Sequence, residues 1–211
     1  MSAPARRLPY AHGIHAIDAG YQRPMLAAIH LVVEGGEAAL IDTGVNASVP
    51  AVMAVLAELG LPPSAVKWVM LTHVHLDHAG GAGLVLEHLP EARLTVHPRG
   101  APHMRDPTRL IAGTTAVYGE QATQALYGRI RAIDPARMLE TPDGTRLTLG
   151  RREFEFIDTP GHARHHVCIV DHASQCVFTG DTFGLSYREL DQEGRQWVFP
   201  ATTPVQFDPH E

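Results

Sequence analysis

The sequence predicts a single α/β domain over residues 1–211, and three observations predict it. Short apolar runs bounded by turn residues alternate with stretches whose apolar residues recur every three or four positions. A chain of 211 residues suits one hydrophobic core. A histidine-dense loop follows the most apolar of the short runs, where the sites of α/β folds collect. With 45% hydrophobic and 19% charged residues the chain is of globular type, which excludes wholesale disorder.

The elements follow in order. Residues 28–33 and 38–41 are apolar runs separated by Glu34-Gly35-Gly36-Glu37, a β-hairpin signal. Asp42-Thr43-Gly44 then turns the chain, and Ser48 is placed to cap a helix with Val52, Val55, Leu56 and Leu59 on one face. Gly60 and Pro62-Pro63 stop that helix. Residues 66–71 are almost wholly apolar, as a strand covered on both faces requires. The loop from Thr72 to Gly81 follows it. A second helix over 84–89 ends at Pro90, and 93–97 returns as a strand. Between Pro98 and Met138 lies a polar, Ala-rich, mostly helical insertion, in which Ala122, Leu126, Ile130 and Ile133 share a face. It is expected to lie over the sheet edge as a lid. Residues 146–149, 153–157, 167–170 and 175–178 read as short strands, and 187–211, rich in proline and polar residues, as a loop.

Composition excludes several functions. Setting 17 basic against 23 acidic residues gives a net charge of −6, with no basic face for nucleic acid and no polybasic membrane patch. No apolar run reaches the roughly 18 residues of a membrane span. Two cysteines, Cys168 and Cys176, make no disulfide framework, and the first ten residues hold no apolar signal core, so the cytoplasm is the expected compartment. The one departure from ordinary composition is 14 histidines.

Four of them carry the chemistry. His73, His75, Asp77 and His78 fall within six residues, followed by Gly80-Gly81. In extended backbone, side chains two apart point the same way, so His73 and His75 suit one ion while a following turn sends Asp77 and His78 to a second. Two further ligand-type residues stand on glycine-bearing turns after predicted strands: His162 in Asp158-Thr159-Pro160-Gly161-His162 and Asp181 in Thr179-Gly180-Asp181-Thr182.

These segments resemble the metallo-β-lactamase-fold hydrolases. Leu40-Ile41-Asp42-Thr43-Gly44, Thr72-His73-Val74-His75-Leu76-Asp77-His78-Ala79-Gly80-Gly81, Thr159-Pro160-Gly161-His162 and Thr179-Gly180-Asp181 match the family's motifs in order and spacing. The resemblance implies a four-layer αβ/βα sandwich with a dinuclear site at one end of its paired sheets. It implies His73, His75 and His162 on the first metal, Asp77 and His78 on the second, Asp181 bridging both, and Asp42 orienting the histidine loop. Two divalent ions are expected, zinc first, with iron or manganese as alternatives. The family takes one more histidine from beyond the bridging aspartate. After Asp181 and the neighbouring strands only His210 remains, in a turn-like terminal segment, and the ligand is not carried over to it. A sandwich lacking part of its C-terminal half and a weakly held second ion are expected on that ground, as is a homodimer formed through exposed apolar edges.

Two ions bridged by Asp181 would bring the pKa of a shared water near neutrality and supply hydroxide, with Asp77 managing a proton. The surroundings of His162, Gly161-His162-Ala163-Arg164-His165-His166, are most similar to small uncharacterised hydrolases of the glyoxalase II-like branch. A small-molecule thioester or ester is therefore the first expected substrate and a lactone the next. His165 and His166 are expected to stand around the ligands or at the surface rather than to bind metal. Tyr118, Tyr127 and Arg109 of the insertion are candidates for shaping a pocket. An iron-dependent redox enzyme similar to the persulfide dioxygenases is the alternative on this scaffold, and a non-catalytic metal-binding module is a third.

Overall fold

A computed structural model of the chain describes residues 7–201. Two sheets lie face to face. The larger has seven strands in sequential order: β1 (Arg7–Pro9), β2 (Ile14–Asp18), β3 (Ala28–Glu34), β4 (Glu37–Ile41), β5 (Val66–Met70), β6 (Arg93–Val96) and β7 (Met138–Glu140). β1 to β4 pair antiparallel, and β4 to β7 pair parallel. The smaller is antiparallel: β8 (Thr145–Leu149), β9 (Arg152–Asp158), β10 (Val167–Asp171) and β11 (Cys176–Phe178).

Alternation along single strands builds two cores. In β4, Ala38 and Leu40 face the helices α1 (Val49–Glu58) and α3 (Ala82–His88), while Ala39 and Ile41 face the second sheet. Val52, Val55 and Leu56 of α1 and Val85 and Leu86 of α3 close the helix side. Met70, Phe154, Phe156, Val167 and Ile169 fill the space between the sheets. β5 is buried at its C-terminal end as expected, although Lys67 and Trp68 are half-buried. Glu153 and Glu155 alternate with the buried phenylalanines of β9 and pair with Arg146 on the outer face. Helix, sheet and sheet thus make three layers among the described residues. A helical fourth layer is not among them.

Several local expectations change. Ser48 precedes α1, but its hydroxyl does not cap it. It donates instead to the carbonyl of Ala19 and accepts from the Val45 amide. The helical insertion forms α4 (Ala101–Arg105), α5 (Thr108–Tyr118) and α6 (Glu120–Tyr127). It is anchored to the helix-side core through Ala101, Met104, Tyr127 and Ile133, and Asn46 donates to the carbonyls of Tyr127 and Arg129. The tail makes one 3-10 turn, Arg188–Leu190, and isolated bridges, and His210 lies outside the described residues. Both cysteines are free thiols. No helix among the described residues is long and apolar enough to cross a membrane.

Candidate metal centre

The loops after β4, β5, β9 and β11 meet at one end of the sheets. Backbone bonds hold the first two together: the Asp42 amide donates to the Met70 carbonyl, and the Thr43 amide to that of His78. Gly81 permits the close approach, since a methyl group there would stand 2.9 Å from the carbonyl oxygens of Thr43 and Val45. The second sheet is tied to the same loop by Val167, whose amide donates to the Thr72 carbonyl at 2.8 Å.

Backbone that is extended through His75 then turns into one helical turn, α2 (Leu76–Ala79). His73 and His75 consequently face His162, with ring centroids 5.0 and 4.8 Å from it, and His75 Nδ1 lies 3.0 Å from His162 Nε2. The turn swings His78 the other way, toward Asp181. The structure brings together two ligand groups, His73-His75-His162 and His73-His78-Asp181, each with its ligand atoms within 4.8 Å of one another. Asp181 spans both: Oδ1 is 3.2 Å from His78 Nε2, and Oδ2 is 3.5 Å from His162 Nε2. Asp77 stands at the margin of the second group, 3.7 Å from His78 Nε2 and one-third exposed.

Asp42 organises this arrangement from a left-handed backbone conformation, φ +58°, which a non-glycine residue holds only when its surroundings require it. Its carboxylate accepts from the Thr72 amide at 2.8 Å, from the Thr72 hydroxyl at 2.8 Å and from His78 Nδ1 at 2.8 Å. Because the Thr72 hydroxyl proton is committed to Asp42, its oxygen accepts from His73 Nδ1, 3.0 Å away. His73 therefore carries its proton on Nδ1. Its Nε2 is a buried lone pair without a hydrogen-bond partner among the described residues, and such an atom is costly unless a ligand satisfies it.

The electrostatics agree with this geometry. Burial holds His73 well below its ordinary value of 6.5, and burial with the neighbouring His162 lowers His75 to about 4. Burial likewise lowers His165 to about 4 and His166 to about 3. Burial lowers His162 as well, so five neutral imidazoles crowd one space. His78 moves oppositely: burial alone would lower it, but the carboxylates of Asp77, Asp42 and Asp181 raise it well above 6.5. Asp181 falls to about 2 because the hydrogen bond and charge of His78 outweigh burial. The three carboxylates thus favour a proton on His78, one that a bound divalent ion would displace. Neutral imidazoles and carboxylates of this kind are the donor set that divalent ions such as zinc take.

Sequence reasoning placed His73, His75, Asp77, His78, His162, Asp181 and Asp42 here, and the structure brings all seven to one end of the sheets. It did not anticipate the buried His97, whose Nε2 lies 3.2 Å from Asp158 Oδ2, nor the contacts of His166. Only the clustering His165-His166 hinted at the latter.

The sequence profile of the Metallo-beta-lactamase superfamily matches residues 23–206. The chain is 27% identical over 198 residues to the metallo-beta-lactamase fold-containing protein ST1585 of Sulfurisphaera tokodaii, covering 92% of this chain and 68% of that one. The crystal structure of that archaeal protein superposes with a TM-score of 0.74 over 94% of this chain and 72% of the other. A hydroxyacylglutathione hydrolase of Xanthomonas euvesicatoria pv. vesicatoria is 28% identical over 178 residues, which are 84% of this chain and 51% of the enzyme. The acyl-coenzyme A thioesterase MBLAC2 of Gallus gallus is 27% identical over 190 residues, 82% and 64% of the two chains. The chain thus spans about half the length of the first of these enzymes and under two thirds of the second.

Proposed function

The chain belongs to the metallo-beta-lactamase superfamily, and from that premise we propose that it is a dinuclear metal-dependent hydrolase of small-molecule thioesters. The observation that carries this reading is the place of Asp181, one oxygen toward His78 and the other toward His162, between two groups of imidazole nitrogens. In this reading His73, His75 and His162 would hold one divalent ion and His78 and Asp77 a second, with Asp181 within reach of both groups. Zinc is the first candidate. When bound, such ions lower the pKa of coordinated water and polarise a carbonyl.

The chain's own residues supply the rest. Asp42 turns His78 through Nδ1 and holds Thr72, which in turn sets the tautomer of His73. Asp77 is the most exposed carboxylate at the centre, placed to accept or return a proton beside the reacting carbonyl. A cavity of about 730 Å³ is lined by Asp77, His78 and Asp181 together with the apolar Ile14, Ile41 and Phe178 and by His30. It has room for the apolar acyl part of a substrate. Two relatives, a hydroxyacylglutathione hydrolase and an acyl-coenzyme A thioesterase, support a thioester over other carbonyl electrophiles.

The test is elemental analysis of the purified chain together with a panel of glutathione thioesters, acyl-coenzyme A thioesters, esters and lactones, for wild type and Asp181→Ala. Bound zinc and thiol release, both lost in the variant, are expected. Iron with oxygen consumption would replace hydrolysis by redox chemistry. Bound metal without turnover of any substrate would make the chain a binding module.

A further inference from the structure

We propose that His166, outside both ligand groups, is a positioning residue that sets the Asp181 carboxylate between them. The inference rests on the metal-centre reading above and deepens it. His166 is buried, 1% exposed, at the end of the turn that leads into β10. Its Nε2 accepts the backbone amide proton of Asp181 at 3.2 Å. Nδ1 must then carry the ring proton, and it faces the Thr159 hydroxyl at 2.8 Å and that of Thr182 at 3.2 Å. The Thr159 hydroxyl is free to accept because its own proton points to Cys168 Sγ, and Thr182 donates to the Thr159 carbonyl.

One ring therefore bolts two turns together, the turn that presents His162 and the turn that presents Asp181. Both nitrogens are used, so His166 has no lone pair left for an ion. The fit is close on the remaining side. Gly180 has φ +48°, and a methyl group there would lie 2.6 Å from His166 Nε2 and 2.8 Å from the Thr72 hydroxyl. The ring also stands with its centroid 5.0 Å from that of His73 and 6.0 Å from that of His162. Removing it frees the Asp181 amide and loosens the distance between the bridging carboxylate and His162, although no ligand atom is lost. Partners that orient ligands in this way are worth about 10- to 100-fold in metal affinity.

The experiment compares wild type with His166→Ala, His166→Asn and His166→Gln. Zinc is titrated into the chelated proteins, and the hydrogen exchange of the Asp181 amide is followed by NMR in the zinc-free state. Glutamine sets its amide oxygen near the position of Nε2 and keeps the acceptor, whereas asparagine reaches only the position of Nδ1. Alanine and asparagine should bind the second zinc about 10- to 100-fold more weakly and exchange the Asp181 amide roughly 5- to 10-fold faster. Glutamine should keep both near wild type, and the amide of the core residue Phe154 should not change in any variant. Alanine with wild-type zinc binding would overturn the proposal, whether or not the amide exchanges faster. A wild-type chain that binds no zinc would instead overturn the metal-centre reading, and the exchange rates would still decide whether His166 holds Asp181.

Discussion

Asp42 Oδ2 lies 2.8 Å from His78 Nδ1, which commits that nitrogen as a donor and leaves Nε2 directed at Asp181, 3.2 Å away. Both carboxylate oxygens of Asp42 are occupied by donors, the other accepting from the Thr72 amide at 2.8 Å. Asp42→Asn keeps the shape but sets an amide N–H against a donor on one side. The second ion should bind about 10- to 100-fold more weakly, and the first should weaken too, because Thr72 loses part of the acceptor that fixes the tautomer of His73. Stepwise zinc titration reads this directly, and two unchanged binding steps would remove Asp42 from the centre.

Zinc should stabilise the chain by mass action, since the two ligand groups are assembled only when β5, β9 and β11 are in place. At free zinc 100 times the dissociation constant the folded state gains about 2.7 kcal/mol per site. For a chain of this size that raises Tm by roughly 5–10 °C. His162→Ala, which removes a member of the first group, should lose a large part of the shift. A Tm that chelator and zinc leave unmoved would show that the histidines are not a metal centre.

The parts of this centre differ in how far they are legible in the amino-acid order. His73, His75, Asp77 and His78 are adjacent along the chain, so their density alone marks them. His162 and Asp181 are single residues on turns and become legible only in the company of the first four. His166 is not legible, because its partner is the backbone amide of a residue 15 positions on, brought near by the pairing of β10 with β11. The strands show the same contrast. β3, β4, β5 and β9 carry clear apolar runs or alternation. In β2, Ile14 enters the core between the sheets while Ile17 enters the helix-side core, so no period of two appears. β1 and β7 are three-residue edge strands, too short to carry a pattern.

Acid should weaken the fold partly through His30, which lines the cavity against Phe178, its ring centroid 5.2 Å away. Burial lowers its pKa below the ordinary 6.5, with Asp42 opposing. The unfolded chain therefore binds this proton more readily than the folded one. Stability from the neutral ring is complete above pH 6.5 and is lost as pH falls below it, by at most about 1.4 kcal/mol per pH unit. His30→Phe keeps the ring and removes the proton, so its stability relative to wild type should rise as pH is lowered from 7. Parallel curves of unfolding free energy against pH for the two chains would contradict the assignment.

Arg152 is a stability determinant away from the centre. It is 3% exposed at the start of β9, and NH1 stands 3.4 Å from Oδ2 of Asp171, itself fully buried at the end of β10. Its NH2 donates to the His12 carbonyl, and Nε lies 3.8 Å from Glu34, so one guanidinium joins the second sheet to the β2–β3 region of the first. Arg152→Met keeps the length of the side chain but leaves Asp171 as a buried carboxylate without its cation, a change worth about 3–5 kcal/mol. Asp171 also accepts from the Ala173 amide at Oδ1, a bond that an amide oxygen would keep, and from the Ser174 hydroxyl at Oδ2, where the hydroxyl can turn to accept from an amide N–H. Adding Asp171→Asn should therefore restore much of the loss. Both Arg152 and Asp171 lie at the ends of their strands remote from Asp158 and Val167, so zinc bound per folded chain should stay as in wild type. Denaturant unfolding of the single and double variants, with zinc content measured on the folded fraction, checks both parts, and a double variant no more stable than Arg152→Met would show that the buried charge is not what the arginine neutralises.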